Sequence, residues 1–165
     1  MKSIQVGDPA PEFTVTASDG RRVSLADFRG KQAVVIFFYP RDNTSVCTQE
    51  ACAFRDAYED FTQAGAAVIG ISSDSDTSHQ TFAQSHRLPY FLVADVNGDM
   101  RKLFGVPNTL MILPGRVTYV IDRDGIVRHV FNAMFQGKKH VEEALKTVQG
   151  LAGGEGARPT QAPGG

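Results

Sequence analysis

Residues 33 to 56, "AVVIFFYPRDNTSVCTQEACAFRD", hold an unbroken apolar run, a proline and both cysteines of the chain, Cys47 and Cys52. The run Ala33 to Tyr39 has strand length and no polar interruption, as a central strand buried on both faces requires. Pro40 ends it, and a helical pattern then runs from about Thr44 to Ala64, where Gly65 stops it. A buried strand leading straight into a helix opens an alternating α/β arrangement.

The helical pattern separates the two thiols. Cys47, Ala51, Phe54, Tyr58 and Phe61 are spaced 4, 3, 4, 3 and share one face, which should pack on the sheet with Cys47 at its N-terminal end. Cys52 lies about 140° round the helix, with Asp56, Glu59 and Gln63 on the polar side. In regular helix the two Cα atoms are about 8.6 Å apart. A disulfide needs roughly 4.4 to 6.8 Å, so bonding these sulfurs requires the first turns to unwind.

Cys47 has physical reasons to ionise. A helix N-terminus presents unpaired N–H groups and roughly half a positive charge, both of which favour a thiolate. Thr44 or Asn43 can serve as the N-cap, placing Cys47 in the first turn. Against this stands the plain alternative that Cys47 is a small buried hydrophobe. Two cysteines separated by four residues, with His79, His86, His129 and His140 scattered, form no recognisable metal-ligand set. Each histidine reads as a surface or hydrogen-bonded residue, and no cofactor is implied.

Working outward, "FTVTASDGRRVSL" (13–25) alternates about an Asp-Gly pair and reads as a hairpin. "AAVIGIS" (66–72) is a second buried strand, "SHQTFAQSHR" (78–87) a helix, and "FLVA" (91–94) a short strand. A helix is expected near Gly98 to Phe104. A second hairpin spans "RVTYVID" (116–122) and "IVRHVF" (126–131), and a last helix covers about Lys138 to Gly150. Residues 1–150 form one expected domain. The Gly- and Pro-rich segment 151–165 has little to bury and is expected to be a disordered tail.

Composition narrows the classes. With 42% hydrophobic and 21% charged residues, the 165-residue chain suits a soluble globular domain. Its 17 basic and 18 acidic residues are dispersed to a net charge of -1, which supports neither a nucleic-acid nor a membrane-surface partner. The N-terminus lacks an apolar leader core, and no stretch approaches the roughly 18 apolar residues of a membrane span. A cytoplasmic location is the resulting expectation, where paired cysteines point to redox or metal roles rather than a permanent disulfide.

These motifs resemble the peroxiredoxins. Pro40-x3-Thr44-x2-Cys47 is similar to their active-site signature, and "CTQEAC" to the branch known as PrxQ or bacterioferritin comigratory protein. "GDPAPEFTVTASDGRRVSLADFRGK", "VIGISSDS" and "GRVTYVIDRDGIVRHVF" match that branch in order and spacing, so the resemblance spans about residues 4 to 150. The element order likewise resembles the thioredoxin-like α/β fold, a central mixed sheet flanked by helices, with an added N-terminal hairpin.

The resemblance implies a peroxidase acting on hydrogen peroxide and organic hydroperoxides, working as a monomer and regenerated by a thioredoxin-like reductant. It assigns Cys47 as the peroxidatic cysteine and Cys52 as the resolving one. Thr44 would hydrogen-bond thiolate and peroxide, Pro40 would shield the site, Arg116 would stabilise the thiolate, and Glu50 would position Arg116. Taken without the motif, Glu50 and Arg116 read as ordinary surface residues. The branch often carries Pro-Gly before the peroxidatic cysteine, where this chain has Ser45 and Val46. Two other readings are a thioredoxin-type thiol–disulfide oxidoreductase, which lacks its Cys-x-x-Cys here, and a redox sensor on the same fold.

Overall fold

The computed structural model describes residues 3–106 and 115–155. Alternation around Gly20, which adopts φ 92°, gives the hairpin β1 (Thr14–Thr16) and β2 (Arg22–Ser24). The apolar run becomes β3 (Ala33–Phe38), buried at every position. It is followed by α1 (Ser45–Asp56), α2 (Tyr58–Gln63), β4 (Ala66–Ser72), α3 (Asp76–His86), β5 (Phe91–Ala94) and α4 (Asp99–Phe104). The C-terminal part is β6 (Val117–Ile121), β7 (Val127–Asn132) and α5 (Gly137–Glu155).

Five strands form one mixed sheet in the order β5-β4-β3-β6-β7. β3 runs parallel to β4 and antiparallel to β6, with Phe38 opposite Val117 as the last pair of that ladder. Because side chains alternate along a strand, β3 feeds two cores. Val34, Ile36 and Phe38 face the hairpin and α4, whereas Val35, Phe37 and Tyr39 face α1, α2, α3 and α5. This is the thioredoxin-like α/β architecture that the element order implied.

Helix α1 is fixed on the sheet through aromatic contacts. Phe54 stacks on Phe37 with ring centroids 4.3 Å apart. Gly70 makes the room: a methyl at its position would come within 2.7 Å of the Phe37 ring. The single helix expected to Ala64 is instead two, with a break at Ala57 (φ -95°, ψ 3°), and Phe61 stays in the same core across it. At the C-terminus, α5 runs to Glu155, so the boundary placed at residue 150 falls inside a helix. Most of the tail set apart at 151–165 lies outside the described residues. Among the described residues, no helix is long and apolar enough to cross a membrane.

Candidate active site

The end of β3 and the start of α1 are joined by Tyr39 to Thr44. Asn43 takes the left-handed conformation (φ 63°), a state that a short polar side chain tolerates. Thr44 then occupies the N-cap position with extended backbone (φ -88°, ψ 158°). Cys47 is thereby the third helical residue and is 1% exposed. Its position in the first turn of a helix packed on the sheet is the one the apolar stripe predicts.

Arg116 immediately precedes β6, beyond the Phe38–Val117 pair, where the ladder delivers it beside the β3–α1 junction. Its guanidinium is used in three directions. Nη2 donates to Cys47 Sγ at 3.1 Å, Nη1 to Glu50 Oε1 at 2.5 Å, and Nε to the Met134 carbonyl at 2.6 Å. Residues from α1, β6 and the β7–α5 connection thus meet at one buried cation. The surface reading of Glu50 and Arg116 is corrected: they are 0% and 2% exposed.

Two carboxyl-side effects compete at Glu50. Burial raises its pKa and the adjacent Arg116 lowers it; burial prevails, and the group is pushed up to about 8. At neutrality Glu50 therefore holds a proton against the pull of the ion pair, leaving the guanidinium charge directed at Cys47. Its second oxygen, Oε2, has no hydrogen-bond partner and lies 3.7 Å from His140 Nδ1. Burial drives His140 down to about 4, so the ring is neutral. Its Nε2–H donates to the Ala133 carbonyl at 2.7 Å, and Nδ1 accepts from the Thr118 hydroxyl at 2.7 Å.

The other expected site residues lie nearby with different partners. Pro40 is half-buried at the end of β3. Thr44 is exposed, and its hydroxyl donates to the Arg41 carbonyl at 2.9 Å instead of to Cys47. Cys52, half-buried, lines a 310 Å³ hollow with Thr48, Gln49, Ala53, Asp56 and Lys138. Both thiols are free and α1 is continuous between them, so the two sulfurs occupy separate surroundings, as helix geometry requires.

Sequence reasoning missed a buried network under the loop. The Asp42 carboxylate accepts from the Tyr39 hydroxyl (2.7 Å) and the Ser78 hydroxyl (2.8 Å), and lies 2.7 Å from His79 Nδ1. The Asp42 N–H donates to Asp74 at 2.7 Å, and the Ser72 hydroxyl donates to the same oxygen. Asp42, Asp74 and His79 are the one trio among the described residues that brings metal-ligating atoms within 4.8 Å of one another. Those atoms are already engaged in the hydrogen bonds above. Apart from Tyr39, the partners of Asp42 come from 30 or more residues away, beyond the reach of local spacing.

Residues 6–130 match the family described as AhpC/TSA. The chain is 52% identical over 152 residues to the chloroplastic peroxiredoxin Q of Suaeda salsa, covering 92% of this chain and 71% of that protein. It superposes on the peroxidoxin BcpB of Mycobacterium tuberculosis with a TM-score of 0.82 and 34% identity, covering 90% of this chain and 98% of that one. A bacterioferritin comigratory protein of Xanthomonas campestris, studied for its alkyl peroxide reduction activity, superposes with a TM-score of 0.77 and 26% identity, covering 85% and 92%. The Suaeda salsa relative and that of Arabidopsis thaliana, 49% identical, are both named chloroplastic. That overturns the cytoplasmic expectation, which rested on a missing apolar leader core. Such a core bears on secretion and is silent about other compartments.

Proposed function

The chain belongs to the AhpC/TSA family, in its peroxiredoxin Q branch, and is a thiol peroxidase; from that premise we propose that Cys47 attacks the peroxide and Cys52 resolves the product. The observation that carries the assignment is the 3.1 Å hydrogen bond from Arg116 to Cys47 Sγ inside a buried helix start. A cation that donates to the sulfur favours the thiolate, and the thiolate is the nucleophile.

The Cys47 thiolate attacks the terminal oxygen of the peroxide. The O–O bond breaks, sulfur is oxidised to a sulfenic acid, and the departing alkoxide or hydroxide takes a proton to leave as alcohol or water. Thr44 rotates its hydroxyl from the Arg41 carbonyl toward the incoming oxygens, while Pro40 covers the loop side. The Cys52 thiolate then attacks the sulfenic sulfur, hydroxide leaves as water, and a disulfide forms. A thioredoxin-like dithiol reopens it by exchange.

Resolution needs the first turns of α1 to melt. That exposes Cys47, Glu50 and Ala51 and breaks the bond from the Tyr90 hydroxyl to the Ala51 carbonyl. The second half of α1 stays anchored by Phe54. Organic hydroperoxides join hydrogen peroxide as substrates in this reading. In support, the 74% exposed ring of Phe135 sits one residue past the carbonyl that fixes Arg116, offering apolar surface. A monomer is the oligomeric state the resemblance implies.

Stopped-flow mixing of reduced protein with hydrogen peroxide tests the assignment. One thiol should disappear rapidly in the wild type and not at all in Cys47→Ser, whereas Cys52→Ser should form a sulfenic acid that persists. Equal reactivity in Cys47→Ser would refute the role of Cys47. A disulfide forming in Cys52→Ser, or no accumulation of sulfenic acid there, would refute the role of Cys52.

A further inference from the structure

Arg101 sits in α4, on the sheet face opposite α1, where neither the motif nor the apolar pattern draws attention to it. Asp95 fixes the start of that helix by accepting from the Met100 N–H at 2.8 Å and the Arg101 N–H at 3.1 Å. The guanidinium then reaches the end of the sheet. Nη2 donates to the Tyr39 carbonyl at 2.9 Å and Nη1 to the Gly115 carbonyl at 3.2 Å, with the Phe38 ring 5.7 Å away.

Those two carbonyls belong to the residues directly before Pro40 and Arg116. The β3–β6 ladder ends at Phe38–Val117, and beyond it the chains diverge toward the two halves of the site. Arg101 joins them where the ladder bonds stop. Among the described residues it forms no ion pair with a carboxylate. Its Nε is buried without an acceptor. Burial lowers its pKa, and the Asp95 carboxylate and, after it, Cys47 act on its charge in the opposite sense.

We propose that Arg101 is a positioning residue for the peroxide reaction, clamping the segments that carry Pro40 and Arg116 and adding a second positive charge under the Cys47 thiolate. The proposal rests on Cys47 being the nucleophile. A planar guanidinium holds its two terminal nitrogens in a fixed fork, one to each carbonyl, whereas a lysine ammonium keeps the charge but must reach both from a single nitrogen on a flexible stem. The two contributions are therefore separable.

The test is the second-order rate constant with hydrogen peroxide as a function of pH, for wild type, Arg101→Gln and Arg101→Lys. Loss of the charge in Arg101→Gln should displace the pH–rate profile toward higher pH, with a several-fold loss of rate on its acid side that shrinks as pH is raised. Arg101→Lys should keep the wild-type profile and lose several-fold in rate through misplacement. Rates and profile equal to wild type in both variants would overturn the proposal. So would a rate loss in Arg101→Gln with no displacement of the profile, since a merely structural role predicts that. If Arg101→Gln fails to fold, Arg101→Lys decides the clamp alone: a reduced rate at an unchanged unfolding midpoint supports it, and a wild-type rate, or a rate loss matched by lost stability, refutes it. A wild type inert to peroxide would sink the assignment of Cys47 and this inference together, a different result from a reactive wild type matched by its variants.

Discussion

Replacing Glu50 by Gln in a Cys47→Ser background isolates the titration of one buried carboxyl. Burial holds the Glu50 proton to about pH 8, against 4.5 for the free group, with Arg116 offsetting only part of the effect. Between those values the folded state keeps a proton that the unfolded chain has released, so stability falls as pH rises. The slope is at most about 1.4 kcal/mol per pH unit, which gives a loss on the order of 4 kcal/mol across the window. His140 acts in the opposite sense. Its folded value near 4, against 6.5 when free, makes the unfolded chain the greater binder of protons there, and stability rises with pH. The two slopes oppose each other up to pH 6.5, and Glu50 acts alone from there to about 8.

Urea denaturation of reduced Cys47→Ser should accordingly lose roughly 2 kcal/mol between about pH 6.5 and 8 through Glu50. The Glu50→Gln version should not show that loss. The decisive quantity is the difference between the two proteins, in which His140 and the remaining groups cancel. The stability of the Gln protein relative to its parent should rise steadily as pH is raised from about 5 to about 8. A relative stability that stays constant or falls would refute the account of a carboxyl kept protonated by burial.

Two further outcomes follow from packing and from the loop network. Gly137→Ala would place a methyl 2.9 Å from the Val46 carbonyl oxygen and 3.1 Å from Glu50 Cβ, so α5 must shift from the first turn of α1. We expect a net destabilisation of roughly 1–2 kcal/mol despite the better helix propensity of alanine, measured by chemical denaturation; an unchanged midpoint would mean that this contact yields freely. At Asp42, burial raises the carboxyl's pKa, but hydrogen bonds from His79, Tyr39 and Ser78 more than offset it and hold the group below its ordinary value. Its stabilisation is present above the unfolded pKa and lost in acid. Asp42→Asn should cost about 2–3 kcal/mol at neutral pH in thermal melts, and the penalty should shrink at about pH 3; a penalty independent of pH would contradict the pairing.

What the sequence made legible was whatever depends on local spacing. The uninterrupted run before Pro40 foretold a strand buried on both faces, and the 4, 3, 4, 3 stripe foretold the burial of Cys47, Ala51, Phe54 and Phe61, with Tyr58 only half-buried. The separate surroundings of the two thiols came from helix geometry alone. What stayed hidden depends on distant partners. Glu50 is of an acidic type and three residues from Cys47, which residue type alone reads as solvent-facing; its hydrogen-bond partner in the core, Arg116, is 66 residues on. The break at Ala57 has no glycine or proline to announce it. Arg101 is one of 17 basic residues, and only the sheet register shows that it reaches the carbonyls before Pro40 and Arg116. Thr44 was legible as the residue opening the helix, but not that its hydroxyl would turn to the Arg41 carbonyl.

The hydrogen bond between Arg116 and Cys47 joins residues 69 positions apart. Whatever the guanidinium lends the sulfur therefore exists only after the sixth strand has docked beside the third. On the role proposed for Cys47, a newborn chain on the ribosome should carry two ordinary thiols and gain its reactivity toward oxidants only as the sheet is completed.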